Sequence, residues 1–274
     1  MKTILVPTDF SPVSLNAVNY AVEMARSIGA DILLVHMYQL PVPFTEVPMP
    51  ELSYDEIKKA AEERVEELKT HIIQTTAGSL NVLTESRLGD PVEEMEKICD
   101  SVHPFAVVMG TQGATGLERL IMGSTALTAI RHLKYPVIVV PAETSYKAIR
   151  KLGLACDFQD VEESTPVNYI KNIVQEFGAE LHILNVDNNK SGIPENVALK
   201  SGYLERRLGN IVPTWHFLEA DNVTEGITEF AANNHLDMIM VIPKKHQLLE
   251  SIFRKSNSKE FLQQSHIPIV SVHD

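Results

Sequence analysis

The chain has 274 residues, 44% of them hydrophobic and 6% aromatic, with 36 acidic against 24 basic side chains for a formal charge of −12. That length suits two domains of about 100–150 residues, each able to bury its own core. The acidic surface excludes duplex nucleic acid and anionic lipid as main partners.

The first apolar run, in "MKTILVPTDFSP", stops at Pro7 and Asp9. It is too short for a signal peptide or a membrane span, so a cytoplasmic protein is expected. Strands are then expected at Lys2–Pro7, Asp31–Met37, Leu80–Ser86, Phe105–Met109 and Pro136–Pro141. Between them, helical periodicity covers residues near 12–28, 53–77, 90–101 and 124–134. Strands apolar on both faces that alternate with helices give a parallel sheet covered on both sides.

Helix boundaries have local causes. Ser11-Pro12 supplies an N-cap and a first-turn proline, Gly29 a C-cap, and Asp90-Pro91 with Glu93 and Glu94 a second start signal. From 53 to 77, Ile57, Ala60, Ala61, Val65, Leu68 and Ile72 form one apolar stripe, and the charges around it read as a solvated face. The connection "YQLPVPFTEVPMPELSYDE" carries four prolines that hold it extended. It reads equally well as a lid over a ligand or as a surface spacer.

The second half repeats the first. Residues 18–37, "VNYAVEMARSIGADILLVHM", match 167–186, "VNYIKNIVQEFGAELHILNV", and a constant offset later pairs His103 with His235, Leu117 with Leu249 and Pro136 with Pro268. An internal duplication explains this, with the boundary near Ala142–Lys147 and domains at 1–143 and 147–274.

After the fourth strand comes "GTQGATGLERLIMGST", with Gly110, Gly113, Gly123, Ser124 and Thr125. Glycines let backbone N–H groups approach phosphate oxygens and permit positive φ, and a helix opening at Gly123-Ser124 favours an anion. The same residues also fit a tight turn followed by a Ser124 N-cap. There is no G-x-x-x-x-G-K-S/T, and no G-x-G-x-x-G follows the first strand. Asp9, at the end of that strand, suits either a ribose hydroxyl or base amino group, or a cap on the next helix. Cys99 and Cys156 make neither a disulfide framework nor a zinc site, and the ten histidines form no cluster with metal-ligand spacing. His36 and His182 read as satisfied strand residues.

"ILVPTDFSP", "LLVHM", "VVMGTQGATGLERLIMGST" and "PVIVVP" together resemble the universal stress proteins, in the ATP-binding branch marked by G-x2-G-x9-G-S/T. The whole chain resembles a tandem member, its two halves replacing a homodimer. The resemblance implies two tandem open-sheet α/β domains, each with a five-stranded parallel sheet of order 3-2-1-4-5 and helices on both faces. It implies an internal pseudo-dimer through strands 136–141 and 268–272, and leaves homodimers of the full chain open. Pro7, Thr8 and Asp9 would border the adenosine, and the Met37 backbone would meet the adenine edge. Gly110, Gly113, Gly123, Ser124 and Thr125 would hold the phosphates of ATP, with or without Mg2+.

By the constant offset the second half has Ile242, Lys245 and Lys255 in place of the three glycines and keeps only Ser256. Glycine-cradle binding should be lost there, although Asp157 matches Asp9. Lys244, Lys245, Arg254 and Lys255 read either as side-chain anion capture or as solvated lysines over a vestigial site. The function expected is regulatory ATP binding in a stress response, against slow ATP hydrolysis or a nucleotide-free scaffold. No catalytic base, Walker-B carboxylate or metal site is apparent.

Overall fold

The structure, a computed structural model, describes residues 2–40, 54–111, 123–157, 165–187, 197–243 and 267–273. Most of the proline-rich connection and Gly113 fall outside these, as do Lys244, Lys245, Arg254, Lys255 and Ser256.

The first half runs β1 (Thr3–Pro7), α1 (Pro12–Ile28), β2 (Asp31–Tyr38), α2 (Tyr54–Thr75), β3 (Val82–Leu88), α3 (Pro91–Val102), β4 (Ala106–Gly110), α4 (Ser124–His132) and β5 (Val137–Val140). The second runs β6 (Lys151–Ala155), α5 (Val167–Phe177), β7 (Glu180–Asp187), α6 (Val197–Leu208), β8 (Thr214–Glu219), α7 (Val223–Asn233), β9 (Met238–Val241) and β10 (Ile269–Ser271). The expected caps are present. The Ser11 side chain accepts the Ser14 N–H, Gly29 closes α1 at φ 63°, and Asp90 accepts the N–H groups of Val92 and Glu93. On α2 the buried stripe is Ala61, Val65 and Ile72, while Ala60 is exposed.

One sheet holds all ten strands in the order β3-β2-β1-β4-β5-β10-β9-β6-β7-β8. Each half is therefore a parallel 3-2-1-4-5 sheet, and the two are tandem α/β domains joined where β5 and β10 pair antiparallel, Ile269↔Val139, Val270↔Ile138 and Ser271↔Val137. Strand alternation divides the core by face. Ile4, Val6, Ile32 and Leu34 pack with α1 and α2, while Leu5, Leu33, Val35, Val107 and Met109 pack with α3 and α4. Each cluster continues into the second half, through Leu152 and Ile183 on one face and Leu184 and Ile239 on the other.

Most boundaries move by a residue or two from expectation, β4 to Ala106–Gly110 and β5 to Val137–Val140 among them. β3 lies two residues later than Leu80–Ser86, because it pairs β2 from Ile32↔Val82 to Tyr38↔Leu88 and follows its partner to the end. α4 stops at His132, where Leu133 turns extended to bury its side chain. β10 is limited to 269–271.

Candidate functional site

The strand order reverses direction between β1 and β4, and at such a switch point the strands' carboxyl ends part to leave a crevice. Here a proline ends the strand pairing early. Thr3 C=O accepts from Phe105 N–H on the β4 side, so by alternation Pro7 also faces β4 and has no N–H to offer. The β1–β4 register is accordingly confined to Ile4↔Ala106 and Leu5↔Val107.

Beyond Pro7 the chain turns sharply. Thr8 N–H donates to Val35 C=O at 2.8 Å, Thr8 Oγ1 accepts the Phe10 N–H, and Phe10 sits at φ 63°. Asp9 is exposed, and its Oδ1 accepts the Ser11 N–H at 3.0 Å. The cap of α1 is Ser11, so Asp9 braces the capping residue from two residues upstream.

β2 runs past β1. Val35 C=O faces β1 and Tyr38 C=O faces β3, where it accepts from Gly89, so the Met37 N–H and C=O face the β1 side beyond the last register pair, Pro7↔Val35. That is the backbone edge the resemblance assigned to an adenine.

Gly110 ends β4, and Thr111 N–H bonds Val140 C=O on the β5 side, so the Gly110 backbone faces β1. Neither Gly110 nor Gly123 uses a positive φ, which corrects that part of the expectation. Gly110 is bare for another reason: a Cβ would stand 2.8 Å from Val13 O and 2.8 Å from Val13 Cγ1, both in the first turn of α1. Gly123, at φ −62° and ψ 152°, is itself the N-cap of α4, so Ser124 is the first helical residue and not the cap. Ser124 and Thr125 are exposed in that first turn, where N–H groups lack intrahelical acceptors and the dipole favours negative charge.

The ends of β1, β2 and β4 and the start of α4 thus bring Pro7, Thr8, Asp9, Met37, Gly110, Gly123, Ser124 and Thr125 to one edge of the sheet. Gly113 lies outside the described residues.

Three further residues shape this edge. His36 Nδ1 donates to Thr8 C=O at 2.8 Å, its ring lies 4.7 Å from that of Phe10, and the Arg64 guanidinium sits 4.3 Å from the centroid of the same Phe10 ring. His36 is thus a satisfied strand residue, as expected, but it also ties β2 to the β1 turn. The second half keeps this tie with a different side chain. Asn185, which aligns with His36, donates to Cys156 C=O at 2.9 Å, while Cys156 N–H bonds Leu184 C=O.

The second crevice differs at its floor. Ile242, aligned with Gly110, packs a full side chain against the core, and α5 begins at Val167, six residues later than the position aligned with Pro12. The environment of Cys99 does not make it a reactive centre. Burial, with Asp100 and Glu96 nearby, pushes the Cys99 thiol up to about 12. Among the described residues no three His, Cys, Asp or Glu side chains form a metal-binding group, and no helix is long and apolar enough to cross a membrane.

The sequence profile of the universal stress protein family matches residues 1–141, just over half of the 274-residue chain. The chain belongs to the universal stress protein family. A universal stress protein of Methanocaldococcus jannaschii is 31% identical over 142 residues, 51% of this chain and 81% of that protein. A second one from that organism is 25% identical over 157 residues, 53% of this chain and 97% of that protein. The crystal structure of a universal stress protein from Archaeoglobus fulgidus matches with a TM-score of 0.73 at 20% identity, covering 99% of this chain and 98% of that one. This last likeness is one of fold, and it takes in both halves of the universal stress protein described here.

Proposed function

We propose that this universal stress protein is a cytoplasmic stress-response protein that binds one ATP, with or without Mg2+, in its first domain as a regulatory ligand. The observation that carries this reading is the meeting, at the β1/β4 switch point, of a braced carboxylate at Asp9, an outward backbone edge at Met37 and the open first turn of α4. Asp9 suits a ribose hydroxyl, Met37 an adenine edge, and the N–H groups and hydroxyls of Ser124 and Thr125 the phosphates. Occupancy then shifts a conformational or partner-binding equilibrium. The division of labour follows the boundary between 143 and 147, since the second domain has Ile242 where the first has Gly110.

The test is to purify the full chain, quantify any nucleotide that co-purifies, and titrate ATP by calorimetry with and without Mg2+. One ATP per chain is expected, weakened about 10–100-fold in Asp9→Ala, which removes charge-assisted hydrogen bonds, and lost in Gly123→Lys. No binding by the wild type would sink the proposal. Two ATP per chain would overturn the assignment to the first domain alone, and multiple-turnover phosphate release abolished by Gly123→Lys would make the protein a hydrolase.

A further inference from the structure

The seam between the domains holds two related grooves. One, of about 490 Å³, lies where the carboxyl end of β5 meets the amino ends of β9 and β10; its walls include Tyr20, Ser145, Leu236, Asp237 and Pro268. Its counterpart, of about 440 Å³, replaces Tyr20 with Tyr169, His235 with His103 and Pro268 with Pro136, following the internal repeat.

The first groove presents a hydroxyl that has no protein partner among the described residues. Tyr20 is 3% exposed and lines the groove, yet among the described residues its hydroxyl has no hydrogen-bond partner. Among the described residues the one buried polar side-chain atom without a partner is His182 Nε2, so the Tyr20 hydroxyl is reached by solvent through the groove, where a ligand oxygen can replace water as its acceptor. The hydroxyl remains a donor at any physiological pH, because burial, then Tyr146 and Asp237, push the phenol upward. The neighbouring Tyr146 is already engaged, its hydroxyl bonded to Ser27 Oγ at 2.8 Å.

Asp237 supplies the complementary group. Its Oδ2 accepts the backbone N–H groups of Arg150 at 2.8 Å and Lys151 at 2.9 Å, which locks the carboxylate, while Oδ1 has no bond among the described residues. One wall thus presents a fixed donor and another a fixed acceptor. An alcohol hydroxyl answers both, accepting from the phenol and donating to the carboxylate. The exposed Glu143 and Lys147 offset each other in charge, and Leu236 and Pro268 offer an apolar surface to C–H groups.

We propose that this groove binds a small uncharged polyhydroxylated molecule, a sugar or polyol, whose hydroxyl bridges Tyr20 and Asp237. The companion groove serves as an internal control. Phe105 stands where Asp237 would be, and His103 Nδ1 is already paired with Tyr135 Oη at 2.7 Å. One site per chain follows.

The full chain labelled with 13Cζ-tyrosine is titrated with D-glucose, myo-inositol and maltose as probes, and saturation transfer to each probe is followed in parallel. Expected for at least one probe is a saturable shift of the Tyr20 resonance with Kd of about 1 mM, a strength fitting an open site for so small a ligand. Tyr20→Phe, which keeps the ring, should weaken binding about tenfold. Ala232→Trp, which fills the groove from an exposed lining position and leaves both polar groups, should abolish it. Absence of saturable binding by all three probes overturns the proposal, as does binding that persists unchanged in both variants.

Discussion

A methyl group at Gly110 has nowhere to go. Its position, 2.8 Å from the Val13 carbonyl oxygen, is closer than a Cβ can sit to backbone, so the first turn of α1 must move. Gly110→Ala is therefore expected to cost about 1–3 kcal/mol in nucleotide-free protein, measured by urea denaturation, as overpacking does elsewhere. Gly123 makes the opposite case. Its φ of −62° suits any residue, and Gly123→Ala should cost no more than about 1 kcal/mol, the difference between the two residues at an N-cap. Equal losses at the two positions would show that Gly110 is not held bare by the helix. The spacing of these glycines was legible in the sequence and pointed to one edge of the sheet. The separate reasons for them were not, because the contact that excludes a Cβ at Gly110 comes from α1, distant in the chain, and leaves no trace in the local motif.

At the scale of elements, the turn after β1 is held by a side chain from β2 in both domains. His36 Nδ1 and Asn185 Nδ2 each donate to a carbonyl just past the preceding strand, that of Thr8 after β1 and that of Cys156 after β6. Since an amide already does this work in the second domain, His36→Asn should keep the bond and lose only the contact with Phe10, a change of about 1 kcal/mol or less. His36→Leu removes the donor to a buried turn and should cost about 1–3 kcal/mol. Thermal or urea unfolding of the two variants tests the ranking, and a His36→Leu as stable as His36→Asn would refute it. Strand and helix identities here were readable from period and caps: Ser11-Pro12, Gly29 and Asp90-Pro91 all act as read. The tie itself was hidden, because His36 and Asn185 share a hydrogen bond and no residue type.

The seam gives the whole molecule its unity. β5 and β10 close a single sheet, Asn16 Nδ2 donates to Pro141 C=O and Thr144 C=O, and His273 Nε2 donates to Ile130 C=O in the first domain. The apolar cluster on each face crosses the seam without a break, with Ile138 and Val270 directly opposed and at most 1% exposed. The duplication was legible from the constant offset, whereas the pairing of the two fifth strands was implied by the family resemblance. Domains that share a sheet and both cores lose most of their mutual burial if either unfolds alone, so the full chain should melt in one cooperative transition although its size would ordinarily permit two. Val270→Asp places an unpaired carboxylate at the centre of that seam and should destabilise the chain by about 3 kcal/mol or more. Differential scanning calorimetry distinguishes the outcomes: a single peak moved to lower temperature is expected, whereas a retained high-temperature peak for the first domain would mean that the sheet joins two bodies that fold independently.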